Sequence, residues 1–242
     1  MRIVVNHLTR MHGGHICVAG VDLETHRHVR PLLGHEHLPF YLLARYGGPF
    51  DMARIVDLGA ARPTPDPPHV EDYVFVASRA KVQRSAFADE FWNLLEGLAR
   101  HTLREIFGDA LRAVGQLRYG TDLGRGQASL GCLRPQRPPE LYLAVSRDGK
   151  PQIRMRLSDG ELEADAGVTD LRLRGANHTT PDDQKVQAVA RRICGSEQVI
   201  LSLGLTRKYR PSEQAAYVHY LQVNNVHLKE EPTWQLGCLG SA

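Results

Sequence analysis

The chain has 242 residues, 42% of them hydrophobic and 24% charged, and 30 Lys and Arg against 27 Asp and Glu leave a formal net charge of +3. That composition supports a real core, and so small a positive excess neither requires nor rules out a nucleic-acid partner. No apolar run is long enough to span a bilayer, and Met1 to Val5 lacks the long apolar stretch and cleavage site of a secretory signal, so a cytoplasmic protein without a membrane partner is expected.

Arg2 to Asn6 is β-branched and apolar and reads as the first strand. Ile16 to Leu23 follows as a second, with Asp22-Leu23-Glu24-Thr25 at a hairpin tip, and His26 to Leu32 as a third. Leu38 to Tyr46 has the look of one or two helical turns, stopped by Gly47-Gly48-Pro49. Ala53 to Ala60 reads as a strand. Pro63, Pro65, Pro67 and Pro68 make the next segment an exposed extended connection, and Val70 to Val82 offers another strand.

The middle reads as helical. Phe87, Phe91, Leu94, Leu95 and Leu98 recur at helical spacing, and Leu103 to Phe107 and Leu111 to Val114 continue the character. A polar, glycine-rich loop over Tyr119 to Gln127 leads to short strands at Ser129 to Leu133 and Leu141 to Val145. Arg147-Asp148-Gly149-Lys150 is a hairpin turn. Gln152 to Leu157 and Val168 to Leu173 read as strands. Asp182 to Cys194 is a helix with a Val186, Val189, Ala190 and Ile193 stripe, and Gly195 stops it. Val199 to Leu205 and Tyr217 to Leu228 complete the set.

Three strands, a helix, then two strands is the plan of the five-stranded OB barrel. The second half fits it well, and the first fits with a short helix in the helical slot. The expected architecture is therefore mainly β with some α: two OB-like Greek-key barrels at residues 1–84 and 129–242, joined by a helical connector at 85–128.

Three segments, Arg2 to Leu32, Gly124 to Pro135 and Tyr220 to Trp234, resemble a group of bacterial dual OB-domain proteins, and the likeness covers nearly the whole chain. The resemblance implies the fold, and a nucleic-acid role of the kind other OB domains have. It implies no catalytic residue.

Arginines alternate with apolar residues at Ile153-Arg154-Met155-Arg156-Leu157 and again at Leu171-Arg172-Leu173-Arg174, while His26, His28 and Arg30 do the same in the first half. A period of two places such residues on one strand face, so Arg154, Arg156, Arg172 and Arg174 would form a basic face for single-stranded nucleic acid, with His28 and Arg30 on the other unit. A plain solvated sheet face alternates in the same way. Arg207-Lys208-Tyr209-Arg210 follows the penultimate strand, where an OB fold places a loop flanking its binding face. Cations around a tyrosine suit phosphate contact plus base stacking. A solvated loop is the bland alternative. Gly124-Arg125-Gly126-Gln127 offers an anion nest at Arg125 or a flexible linker.

The four cysteines, Cys17, Cys132, Cys194 and Cys238, include no Cys-x-x-Cys pair and read as small buried hydrophobes in a reducing compartment. Of twelve histidines, eight fall in the first 69 residues, including the pairs His26-x-His28 and His35-x-His37. These lack carboxylates at metal-ligand spacing, so no metal and no cofactor is expected. No nucleophile elbow and no phosphate loop is present. An enzyme acting on a nucleotide or nucleic acid is a second reading, with a pocket of His7, Thr9, Arg10, Asn224, Asn225 and His227. A third is a protein-interaction module that docks a partner on the helices of 85–114.

Overall fold

The computed structural model describes residues 1–34, 36–146, 148–210 and 213–236. Of the residues singled out above, His35, Arg147 and Cys238 lie outside these. The chain is mainly β with some helix, arranged as two sheets.

The first sheet contains β1 (Arg2–Arg10), β2 (His15–Asp22), β3 (His28–Leu32), β4 (Leu38–Pro39), β5 (Arg54–Asp57), β6 (Arg62–Pro63), β7 (Asp72–Val74) and β8 (Lys81–Ser85). Their order is β6-β7-β3-β2-β1-β5-β8, with β4 beside β2. β1 does not alternate between buried and exposed, because it is covered on both faces from Ile3 to Thr9. The proline segment meets the sheet only as β6, at its edge, where the N–H that Pro63 lacks is not needed.

The second sheet contains β9 (Ala99–Arg100), β10 (Arg112–Gly115), β11 (Arg118–Asp122), β12 (Leu130–Leu133), β13 (Glu140–Val145), β14 (Pro151–Ser158), β15 (Glu163–Val168), β16 (Val199–Leu205) and β17 (Val218–Leu228). The path is β13-β14-β15-β17-β16-β12-β9, and the β10–β11 hairpin joins β17 through β11. Each sheet holds a parallel pair between its third long strand and a late one, β3 with β7 and β15 with β17.

Neither path returns on itself, so these are two open sheets and not the closed barrels expected from the element order. Proline supplies a physical reason. Pro135, Pro138 and Pro139 separate β12 from β13, and Pro63, Pro65, Pro67 and Pro68 separate β5 from β7. A proline has no N–H to donate, so neither connection is suited to extend a ladder.

Helix α1 (Ala88–Leu98) packs Phe91, Trp92 and Leu95 into the first core, whereas α2 (Leu103–Phe107) packs Leu103, Ile106 and Phe107 into the second. Helix α3 (Asp183–Gly195) starts at Asp182, whose side chain accepts from Lys185 N, and runs through Gly195. It lays Val186, Val189 and Ile193 in the second core. The strands β12 and β16 serve both cores: Leu133, Leu201 and Leu203 point into the second, Cys132 and Ile200 into the first. The period of two on these strands is what stacks the halves against each other.

Three local expectations are corrected. Leu111 to Val114 is not helical, and Tyr119 to Gln127 is not all loop, because β10 and β11 form a hairpin that pairs with β17. Gly120 permits that pairing: a Cβ there would lie 2.7 Å from both His219 O and Val218 Cγ1. Leu171 to Leu173 is not strand. It is a single tight turn whose first N–H groups are met by the Asp170 carboxylate, which accepts from Arg172 N at 3.0 Å. Among the described residues no helix is long and apolar enough to cross a membrane.

Candidate nucleic-acid interface

Arg154 and Arg156 leave β14 on the outward face as the alternation requires. The register, however, sets Arg156 between Glu140 on β13 and Asp165 on β15. Arg156 pairs with Glu140 at 3.5 Å and Arg154 with Asp165 at 3.1 Å. Arg156 also lies 5.6 Å from the Tyr142 ring centroid. This face is a cross-strand ion-pair ladder, close to neutral, and not a basic patch.

Arg172, Arg174 and Arg30 are not on a surface at all. Arg172 is 1% exposed. Its Nε and Nη2 donate to Asp170 at 3.0 and 2.7 Å, and its Nη1 and Nη2 donate to the carbonyls of Trp234 and Val226 at 3.0 and 2.8 Å. The guanidinium lies 3.5 Å from the Trp234 ring centroid. Arg174 is buried and donates to the Thr179 and Val168 carbonyls, and burial lowers its pKa to about 10. Arg30 donates to Asp72, His69 and Ser129 at 2.6, 2.9 and 3.1 Å. The tight turn at 171–173 and the docking of β3 against β7 and Ser129 turn these side chains inward, where an apolar flank on either side gave no warning.

His7, Thr9, Asn224, Asn225 and His227 are brought together, and Arg10 sits beside them, but as a buried seam between β1 and β17 and not as an open pocket. Asn225 bonds both backbone groups of Leu8, accepting its N–H at 2.7 Å and donating to its carbonyl at 3.2 Å. His7 Nδ1 lies 2.9 Å from Asn224 Nδ2, and His227 Nε2 lies 2.9 Å from Ser202 Oγ. Burial first, then the neighbouring His28, His227 and Arg30, hold His7 well below its ordinary value. Burial and Arg172 do the same for His227. Both rings are neutral at pH 7. Arg10 donates its N–H to Thr169 O at 2.9 Å, which ties the end of β1 to the second half.

Cys132, half-buried His28 and Asn6 adjoin this seam and have the residue types of a thiol protease site. The geometry does not suit that chemistry. Cys132 Sγ at 4.0 Å and Asn6 Nδ2 at 3.2 Å face the same ring nitrogen of His28. Burial pushes the thiol up to about 11, so the thiolate a nucleophile needs is not formed. Among the described residues no group of three or more His, Cys, Asp or Glu is placed to hold a metal ion. The helices expected as a docking surface bury their apolar stripes, leaving Phe87 at 74% exposed.

The loop after β16 is different. Tyr209 N and O pair with Val218 at 3.0 Å, its ring sits 6.0 Å from Tyr220, and it is 55% exposed. Tyr217, missed in the sequence because it reads as the first residue of a strand, is 41% exposed. Arg210 lies over its ring at 4.9 Å and Lys208 at 6.0 Å. Arg207 instead pairs with Asp72 of the first sheet at 2.8 Å. Asp122 at the end of β11 also pairs with Val218, so the turn that carries exposed Arg125 leaves the sheet at the same end as this loop. Gly124 and Gly126 in that turn take positive φ, 67° and 103°. Among the described residues Lys208, Arg210 and Arg125 have no carboxylate within 4.0 Å.

The family model of the dual OB-containing domain matches residues 1–226. The chain belongs to that family. Two OB units in one chain agree with the two sheets and the parallel pair in each. No curated protein and no solved structure is significantly similar to the chain.

Proposed function

We propose that the protein binds single-stranded nucleic acid at the end of the second sheet where residues 206–210 and Tyr217 lie beside the 123–126 turn. One OB-like unit takes in residues 1–84 and the other residues 129–242, and in the second α3 precedes the last two strands, β16 and β17. The loop carrying Lys208 and Arg210 is then the one joining strands four and five, which flanks the binding face of OB folds.

The observation that carries the reading is the pair of exposed tyrosines, Tyr209 and Tyr217, with Arg210 and Lys208 over the second ring. Aromatic faces take bases of any sequence, and cations without carboxylate partners take phosphates. The carboxylate-paired Arg154 and Arg156 have no part in it. Fluorescence anisotropy with short labelled DNA and RNA at two salt concentrations is the test. Binding that weakens as salt rises, and weakens on Tyr209→Ala, is expected. No binding at low salt refutes the reading.

A further inference from the structure

A cleft of about 480 Å³ lies between the halves, walled by the β2–β3 hairpin and β7 on one side and by α2 and β12 on the other. Its size is that of a small-molecule site, roughly 300–1,000 Å³. Four charged side chains line it: Arg27, Arg100, Glu71 and Glu105.

The two carboxylates are already engaged by donors of the chain. Glu71 accepts from Ser129 N, Ser129 Oγ and Leu130 N at 2.8, 2.7 and 3.2 Å. Glu105 accepts from His101 N and Thr102 N at 2.8 and 2.9 Å. The two guanidinium groups are not matched in this way. Arg100 reaches only the carbonyls of Leu98 and Ala99, at 3.4 and 3.5 Å, and among the described residues neither Arg27 nor Arg100 has a carboxylate within 4.0 Å. Two exposed cations therefore border one concave site, and among the described residues neither is in a salt bridge.

The wall also carries an imidazole. His28 lines the cleft, and its Nε2 is turned to Asn6 Nδ2 at 3.2 Å. Burial lowers its pKa to about 4, so the ring is neutral and its one proton sits on Nδ1. Behind it Asn6 is fully buried, and its Oδ1 has no hydrogen-bond partner. Unpartnered buried acceptors are rare and mark places kept for something other than packing. Tyr73, Leu98, Ile106 and Leu130 supply the ring and apolar surface.

We propose that this cleft binds a nucleoside phosphate, with the phosphate on Arg27 and Arg100, the base against Tyr73 and the apolar wall, and the His28 N–H as a hydrogen-bond donor. The site is separate from the tyrosine loop and stands without it.

Isothermal titration with the four ribonucleoside monophosphates, the corresponding nucleosides and inorganic phosphate tests the assignment. At least one monophosphate binds, and its nucleoside and inorganic phosphate each bind at least roughly tenfold more weakly, the size of one lost hydrogen bond to a charged group. The Arg27→Ala/Arg100→Ala variant, changed only at exposed positions, loses at least about tenfold in affinity, while Tyr209→Ala binds the monophosphate like the wild type. The proposal is overturned if no monophosphate binds, if inorganic phosphate binds as well as the nucleotide, if the double arginine variant binds unchanged, or if Tyr209→Ala abolishes nucleotide binding. Anisotropy with oligonucleotides on the same variants reports separately on the loop.

Discussion

Arg172→Ala separates a buried structural arginine from a solvated one. In the native state its guanidinium makes two bonds to the Asp170 carboxylate, at 3.0 and 2.7 Å, two to carbonyls at 3.0 and 2.8 Å, and lies on Trp234. Both members of the ion pair are fully buried, with 0% side-chain exposure. Truncation leaves Asp170 as a buried charge. Removing one partner of a buried pair costs about 3–5 kcal/mol. Asp170 keeps the Arg172 and Val226 backbone N–H groups as donors, at 3.0 and 3.3 Å, which holds the loss to the lower end of that range. A loss of about 3 kcal/mol is a large part of the 5–15 kcal/mol that stabilises an ordinary domain. Urea unfolding followed by tryptophan fluorescence reads it as a fall in midpoint at unchanged slope. Arg156→Ala, whose Glu140 partner is exposed, changes stability by less than about 1 kcal/mol. Replacing both partners, Arg172→Met with Asp170→Leu, recovers much of the loss, because the burden is the unpaired charge and not the missing bonds. A cost below about 1 kcal/mol for Arg172→Ala would show that the side chain is solvated, and the account of the 171–173 turn would fail with it.

Tyr209→Ala weakens single-strand binding by roughly 1–3 kcal/mol, and Lys208→Ala with Arg210→Ala reduces the slope of log affinity against log salt by about 0.7 for each phosphate no longer neutralised. Arg154→Ala with Arg156→Ala leaves affinity unchanged, and an equal loss from that pair would move the interface to β14. Gly120→Ala drives a Cβ to within 2.7 Å of His219 O, so the β10–β11 hairpin separates from β17 or strains, at about 1–3 kcal/mol, read as a lower melting temperature. Acid destabilises the fold through its buried histidines. Burial lowers His28 to about 4, while an unfolded histidine titrates near about 6.5, so the unfolded chain binds the extra proton. Stability is full above about pH 6.5 and falls as pH drops toward 4. His28 contributes about 2 kcal/mol of that fall once its partial solvent exposure is allowed for, and His7 and His227, also lowered, add to it. Unfolding midpoints that stay level between pH 7 and 4.5 contradict this.

The parts of the candidate site that were readable are those whose signal is local. The charged tyrosine loop is legible because three cations around Tyr209 in a short connection are a local signal, although Arg207 turns to Asp72 of the first sheet. Asn224, Asn225 and His227 were rightly grouped with His7, yet as a pocket, because polarity in a late strand does not say whether water or another strand covers it. The cleft left almost no trace beyond the His26-x-His28 pair, since Tyr73 and Arg100 lie far along the chain from Arg27 and His28.

The same division holds for the fold. Alternation and β-branching were enough for β1, β2, β3, β14, β16 and β17, a helical stripe and an acidic cap for α3, and a Gly-Gly-Pro stop for the turns before it. These depend on each residue's own neighbours in the chain. The tertiary structure decided where a pattern had two physical solutions. Leu171-Arg172-Leu173-Arg174 alternates as a strand would, but Asp170 caps it into a turn and Trp234, more than sixty residues on, receives the guanidinium. Arg154 and Arg156 point outward as their spacing demands, but only the register of β13 and β15 sets Glu140 and Asp165 beside them and cancels their charge. A sequence states which face of a strand a side chain takes, because the backbone has a period of two. What stands opposite that face is settled by long-range pairing.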